Sequence, residues 1–364
     1  MLLNLLLIVA FNLFNICLTQ SSWLDSNGKS KTHLFAVEFN DDHDQPHKRF
    51  VDHLQSNNFT FNLKHNFNSP DLFVGASIFL DSPEDANHLS TTPNVKHIYA
   101  ISEFDTPSQV LDTESTYSSQ YYPHVSGTQA NPNFTSTQSL IEAAHHFTGI
   151  DIAHSQNLDG SGIFIAFVDD GVDYNHPALG GCFGDGCIVS KGWDLVGDDY
   201  NTSSNALNPG PLQPTTCKSH GTSTLGIAAA KDRHSNLIGG APNATFGMYR
   251  IFGCVGSSGD DVLAMGMIKA YEDGADIINV SAGGPDGWTT SLPSVVASRI
   301  VSKGKHVVTS AGNYGLQGLL YSNSPAGGIG VTPVASLDLP YVPWLNASMT
   351  ISNVENQRFV SFNY

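Results

Sequence analysis

Ile163-Phe164-Ile165-Ala166-Phe167-Val168-Asp169-Asp170-Gly171 runs six apolar residues, β-branched and aromatic, straight into two carboxylates and a glycine. A run of that length ended by a turn signal reads as a strand buried on both faces, as in a parallel sheet. In open α/β sheets the working groups sit just beyond the carboxyl ends of such strands. Asp169 is then a carboxylate delivered to the rim of a rigid sheet; the competing reading is a solvated turn acid ahead of Gly171.

Downstream of this strand the pattern alternates. A long loop carries Cys182, Cys187 and Gly192–Asp199, and a helix begins near His220 with small residues (Gly226, Ala228) that allow close packing. Thr245–Gly253 reads as a strand. A helix capped by Ser258 or Asp260 runs to Asp273, with Val262, Met265, Ile268 and Tyr271 at helical spacing and Gly274 at its end. Asp276–Gly283 is a strand, Leu292–Ser302 a helix before Gly304, and His306–Asn313 another strand. Strands alternating with helices imply a parallel sheet with right-handed crossovers.

Upstream, Thr32–Phe39, a helix around His47–Ser56, Phe59–Phe67, Leu72–Leu80, a helix start at Ser82-Pro83-Glu84-Asp85, and Val95–Ile101 give the order β-α-β-β-α-β. That order is the ferredoxin-like pattern of a small α+β domain. The stretch from Glu103 to about Ser139 is rich in Ser, Thr, Gln and Pro without periodicity, and reads as a linker. Met1 to about Thr19 is apolar and followed by small polar residues, as in a secretory signal peptide, with an uncleaved anchor as the rival reading.

Composition narrows the partners. A formal net charge of −17 with no Lys/Arg cluster argues against nucleic acid or an anionic membrane surface, and no later segment is apolar enough to span a bilayer. Six sequons (Asn58, Asn133, Asn201, Asn243, Asn279, Asn346) suit a secreted glycoprotein, with Asn279 expected to be buried and unmodified. Cys17 leaves with the signal, and the four cysteines that remain favour two disulfides over a zinc site, because no paired CxxC spacing is present.

Three element ends carry groups that face one rim: Asp169, His220 and Asn313. An imidazole base, a carboxylate that holds its tautomer and an amide donor for an oxyanion are most of what acyl transfer requires. These residues also carry a resemblance. Val168-Asp169-Asp170-Gly171-Val172-Asp173 with His176-Pro177 resembles the catalytic Asp motif of the subtilisin-like serine proteases (subtilases, peptidase family S8), and His220-Gly221-Thr222 with Gly226 and Ala228 resembles their His motif. Asn279-Val280-Ser281-Ala282-Gly283-Gly284 is similar to the strand that pairs with substrate backbone, and Ser310-Ala311-Gly312-Asn313 to the oxyanion-hole segment. The order Asp then His is that of this family. Gly180–Cys187 (GGCFGDGC) resembles larger secreted fungal and bacterial members with an inserted protease-associated domain.

The resemblance implies a subtilisin-like α/β fold, incomplete at its C-terminus, preceded by a ferredoxin-like α+β propeptide. The expected organisation is signal 1–20, propeptide 31–105, linker 106–139 and partial catalytic domain 140–364. It implies a secreted zymogen that hydrolyses polypeptides without a cofactor, with its own propeptide as intramolecular inhibitor. Asp169 orients, His220 is the base, Asn313 donates to the oxyanion, and Ser281, Ala282 and Gly283 bind substrate. Pairing of Cys182 with Cys187 and Cys217 with Cys254 is expected on the same grounds, together with proximity. Structural calcium at Asp194, Asp198 and Asp199 is possible in such a family, a solvated loop being the first reading.

The chain departs from the family at several points. The nucleophile motif Gly-Thr-Ser-Met-Ala does not occur, and Gly221-Thr222-Ser223 belongs to the His helix; a truncated sequence is the expectation, and a catalytically inactive binding or inhibitor protein is the alternative. Asp170 stands where the family usually has Ser or Thr, so two like charges adjoin and full ionisation of both is disfavoured if both are buried. Ser223 takes the place of a second, structural His. His145, His146 and His306 read as surface or packed residues, and Gly327-Gly328-Ile329-Gly330 as a turn.

Overall fold

The computed structural model describes residues 32–336 except 41–43, 83–84, 108–143, 203–206, 216, 233–236 and 319–320. The expected signal peptide, most of the expected linker, and the sequons at Asn133 and Asn346 lie outside the described residues.

The N-terminal unit comprises β1 (Leu34–Phe39), α1 (Pro46–Ser56), β2 (Phe61–Ser69), β3 (Phe73–Leu80), the short α2 (Ala86–Leu89) and β4 (Val95–Ala100). Its antiparallel sheet has the order β2-β3-β1-β4, so the expected β-α-β-β-α-β alternation is the one observed. Period-2 alternation assigns its two faces. Phe35, Val37 and Phe39 of β1 pack with Phe50 and Leu54 of α1 and Leu89 of α2. Ala36 points the other way, into a core shared with the larger unit. A three-residue strand, β5 (Glu103–Asp105), leaves this unit and crosses to the larger one.

The larger unit follows: α3 (Ile150–Ser155), β6 (Phe164–Asp169), β7 (Val189–Asp194), β8 (Gly210–Pro211), α4 (His220–Ala229), β9 (Lys231–Asp232), β10 (Leu237–Ile238), β11 (Thr245–Arg250), β12 (Ser257–Gly259), α5 (Asp260–Glu272), β13 (Ile277–Val280), α6 (Leu292–Ser302), β14 (His306–Ser310) and β15 (Thr332–Val334). Its main sheet has the order β15-β14-β13-β6-β11-β7-β8. Pairing is parallel throughout except for β7 with β8. The quoted apolar run is thus an interior strand, flanked by β13 and β11. Helices cover both faces. Leu225 and Ala229 of α4 pack with Phe167, Phe246 and Met248 on one side. On the other, α5 and α6 contribute Val262, Leu263, Met267, Val296 and Ile300 to the core with Val168 and Ile278.

Four expectations are corrected. The sequence pattern places Gly192–Asp199 in a loop, yet Val189–Asp194 is strand β7, paired with β11. It alternates buried and exposed positions near the sheet edge, and Lys191-Gly192-Trp193 offers no continuous apolar run to announce it. The cap of α5 is neither Ser258 nor Asp260 but Gly259, with both aspartates in the first helical turn. The strands expected at 245–253, 276–283 and 306–313 end early, at Arg250, Val280 and Ser310. Their last residues peel off the sheet as rim loops. Asn279, expected to be buried, is half-buried in β13 and donates to Ser281 Oγ at 3.0 Å.

The two units share an interface. Phe73, Tyr99 and Phe104 enter the core that holds α5 and α6. Arg299 of α6 donates to the Leu72 carbonyl at 2.7 Å and pairs with the buried Glu38 at 2.9 Å, which also takes Lys96 and the Tyr99 hydroxyl. Ser77 donates to Asp261 at 2.5 Å, and Ser102 and Asp260 exchange two hydrogen bonds through backbone and carboxylate. β5 pairs antiparallel with β12, and Phe104 meets Phe252 edge-to-face at 5.6 Å.

Candidate active site

β6 ends at Asp169, and α4 begins at His220 on the same rim. Their side chains meet: His220 Nδ1 lies 2.8 Å from Asp169 Oδ1. A carboxylate there only accepts, so Nδ1 carries the proton and Nε2 is left as the basic nitrogen. Asp169 is fully buried and well supplied. Its Oδ1 also accepts from the Asp170 N–H at 2.7 Å, and its Oδ2 from Thr224 Oγ1 at 3.1 Å. The His220 side chain keeps 18% exposure, enough for one edge of the ring to reach solvent or substrate.

Asp170 points the other way, into the start of α4. Its Oδ1 accepts from the Gly221 N–H at 2.7 Å and its Oδ2 from the His220 N–H at 3.2 Å. A side chain at Gly221 would sit 2.2 Å from the Gly171 carbonyl oxygen, so only glycine lets the helix press this closely on the turn after β6. Burial and the neighbouring Asp169 charge push the Asp170 carboxyl up to about 6, against the pull of the two N–H donors. For His220, burial opposes the charged form, but the hydrogen bond and charge of Asp169, with Asp170 behind it, prevail and hold the imidazole above its ordinary range.

Ser281, Ala282 and Gly283 follow β13, the neighbour of β6, at the same rim; Ala282 is buried and the other two half-buried. Gly283 has φ +133°, and a Cβ there would fall 1.8 Å from the Ser324 carbonyl oxygen. Asn313 stands beyond β14, one strand further out, and is exposed. The structure therefore brings Asp169 and His220 into contact, and places Ser281–Gly283 and Asn313 on adjoining rim loops. Ser223 is exposed, and its Oγ turns back to the Ser219 carbonyl at 3.0 Å.

Two residues that sequence reasoning passed over hold the rim together. Buried Asn323 donates from Nδ2 to the Ala282 carbonyl at 2.8 Å and to Ser310 Oγ at 3.0 Å, and its N–H donates to the Ala311 carbonyl. It ties the 281–283 loop to the 310–313 loop, and nothing in Tyr321-Ser322-Asn323-Ser324-Pro325 announces that role. Thr224 lay within the His motif, and its spacing from His220 was the available signal for its bond to Asp169.

Both disulfides, Cys182–Cys187 and Cys217–Cys254, are formed as expected. Of the three carboxylates named for calcium, Asp194 and Asp198 already face a cationic side chain. Asp194 and Asp198 both take the Nη1 of buried Arg250, at 2.9 and 2.7 Å, and Asp194 Oδ1 accepts from two backbone N–H groups. The guanidinium, whose Nη2 faces the Cys217–Cys254 sulfurs, stands where a cation would. Among the described residues no helix is long and apolar enough to cross a membrane.

Known proteins agree with this arrangement. The minor extracellular protease Vpr of Bacillus subtilis is 36% identical over 176 residues, 47% of this chain and 20% of its own length. The thermophilic serine proteinase of Bacillus sp. strain AK1 is 33% identical over 214 residues, 58% of this chain and 44% of its own. The chain thus spans less than half the length of either relative. A crystal structure of the epidermin leader peptide processing serine protease from Staphylococcus aureus shares the fold, with a TM-score of 0.54 at 19% identity, covering 84% of this chain and 69% of that one. The subtilase family matches residues 160–360, more than half of the sequence and all of the rim just described, and the chain belongs to that family.

Proposed function

We propose that this chain is the precursor form of a secreted subtilisin-like serine endopeptidase that hydrolyses polypeptides by an Asp-His-Ser mechanism, in which Asp169 and His220 are the first two members. The observation that carries the reading is the 2.8 Å contact between His220 Nδ1 and the buried Asp169, at the rim where the family match lies. Asp169 fixes the tautomer and supports the imidazolium that forms when Nε2 takes the proton of a serine nucleophile. The third member is the serine of the family's Gly-Thr-Ser-Met-Ala segment, which residues 1–364 do not contain. Asn313 donates to the oxyanion, and Ser281–Gly283 pair with substrate backbone.

Residues 31–105 act as the intramolecular inhibitor and 106–139 as the linker released with it. The support is β5, which lies as an added strand along β12 beside Gly284, as an extended peptide would. The secretory route rests on the N-terminal apolar segment, the sequons and the two disulfides.

The test is hydrolysis of a denatured protein substrate by the full-length gene product and by its Asp169→Asn and His220→Ala variants. Activity in the parent that falls at least about 10³-fold in both variants supports the reading. Folded parent product with no hydrolysis, combined with tight inhibition of another subtilase by residues 31–105, would make the chain a binding or inhibitor protein instead.

A further inference from the structure

Helix α4 begins Ser219-His220-Gly221-Thr222-Ser223-Thr224, a poor start by local rules. Gly221, Thr222 and Ser223 in its first turn are weak helix formers, and Ser219, at the N-cap position, makes no side-chain cap. The orphan N–H groups of such a turn need acceptors from elsewhere. They find one in Asp170, which is 1% exposed and takes the N–H groups of both His220 and Gly221.

We propose that Asp170 is a positioning residue: its carboxylate caps α4 from the end of β6 and fixes the His220 backbone, while Asp169 fixes the ring. This deepens the protease reading and rests on it for its consequence in turnover. His220 is then held at two points by two consecutive residues of one strand end. Because that strand is interior to the sheet, the ring has little freedom to drift from the rim. The second carboxylate also sets a negative charge behind the imidazole, which favours the imidazolium that general-base catalysis generates. The charged groups facing Asp170 are Asp169 on β6 and His220 on α4; Arg250 on β11 turns its guanidinium to Asp194 and Asp198.

The two contributions, cap and charge, separate by substitution. Asp170→Asn keeps one acceptor and removes the charge, whereas Asp170→Ala removes both. The experiment is an NMR titration of the His220 imidazole in the full chain, with amide hydrogen exchange at Gly221. In both variants the His220 midpoint falls by about one pH unit. Faster Gly221 exchange is expected in Asp170→Ala and much less in Asp170→Asn. An unmoved midpoint in Asp170→Asn overturns the proposal, since a merely structural carboxylate changes stability without moving the imidazole. If Asp170→Ala does not fold, the Asp170→Asn titration decides alone. In the hydrolytic full-length product, Asp170→Asn lowers kcat about tenfold with KM little changed, as expected for a group that positions a base without touching substrate. Lack of hydrolysis by the parent would overturn the protease reading, and the titration still tests the role of Asp170.

Discussion

Arg299 on α6 reaches Glu38 on β1 at 2.9 Å, across the seam between the small sheet and the larger unit. Glu38 is almost wholly buried, and burial alone would raise its carboxyl. The hydrogen bonds from Arg299, Lys96 and Tyr99 outweigh that and hold it below the ordinary range. Glu38→Gln leaves Arg299 without its counter-charge and should cost about 2–4 kcal/mol. A lowered carboxyl contributes stability above its unfolded value and loses it as pH falls through the folded one. Denaturant titrations should therefore show the difference between parent and Glu38→Gln at neutral pH and see it shrink in acid.

Asp169→Asn removes the negative charge that fixes the His220 tautomer and favours its protonated form. His220 is raised in the folded chain, so its contribution is present below the unfolded value near 6.5 and is lost as pH rises through the folded one. Thermal melts should show the penalty of the variant largest at mildly acid pH and smaller at pH 9. Equal penalties at both would contradict the assignment.

Asp260 is buried in the interface with its Oδ1 unpartnered, and burial, with Asp261 and Asp286 nearby, pushes it up to about 8. A raised carboxyl stabilises the fold while protonated, and that stability is lost as pH climbs from 3.8 through 8. Asp260→Asn keeps an acceptor for the Ser102 N–H without a charge to bury. The variant should match the parent near pH 4 and exceed it at pH 8 by about 2–4 kcal/mol, read from urea unfolding.

Gly283→Ala places a methyl group on the Ser324 carbonyl oxygen in a left-handed backbone region. The loop after β13 must then move, at a cost of about 3 kcal/mol or more. A melting temperature within a degree of the parent would show that the loop relaxes freely.

The parts legible beforehand are those whose signal is local. The run before Asp169 could only be a buried strand, and alternating faces in residues 34–39 and 73–80 announced the small sheet. The meeting of Asp169 with His220 was legible through the spacing of short motifs and their family likeness. What stayed hidden depends on distant partners. Val189–Asp194 becomes a strand because β11 offers it an edge, against its own mixed pattern. Asn323 gains its role from two loops that sequence distance separates, and Asp194 and Asp198 meet Arg250 of β11. The rim loop after β13 turns at Gly283, whose φ of +133° an L-residue rarely adopts, and that glycine was its local signal.

The place of β6 in its sheet has a consequence for assembly. Both of its neighbours, β11 and β13, are encoded far downstream, so as the chain leaves the ribosome this apolar strand has no hydrogen-bonding edge to join. Non-local parallel pairing is slow. The small antiparallel sheet, built from contacts close in sequence, is complete by then and presents Phe73 and Tyr99 as a ready surface on which the later α5 and α6 can settle. The order of synthesis thus lets residues 34–100 pair their strands before the larger sheet can close.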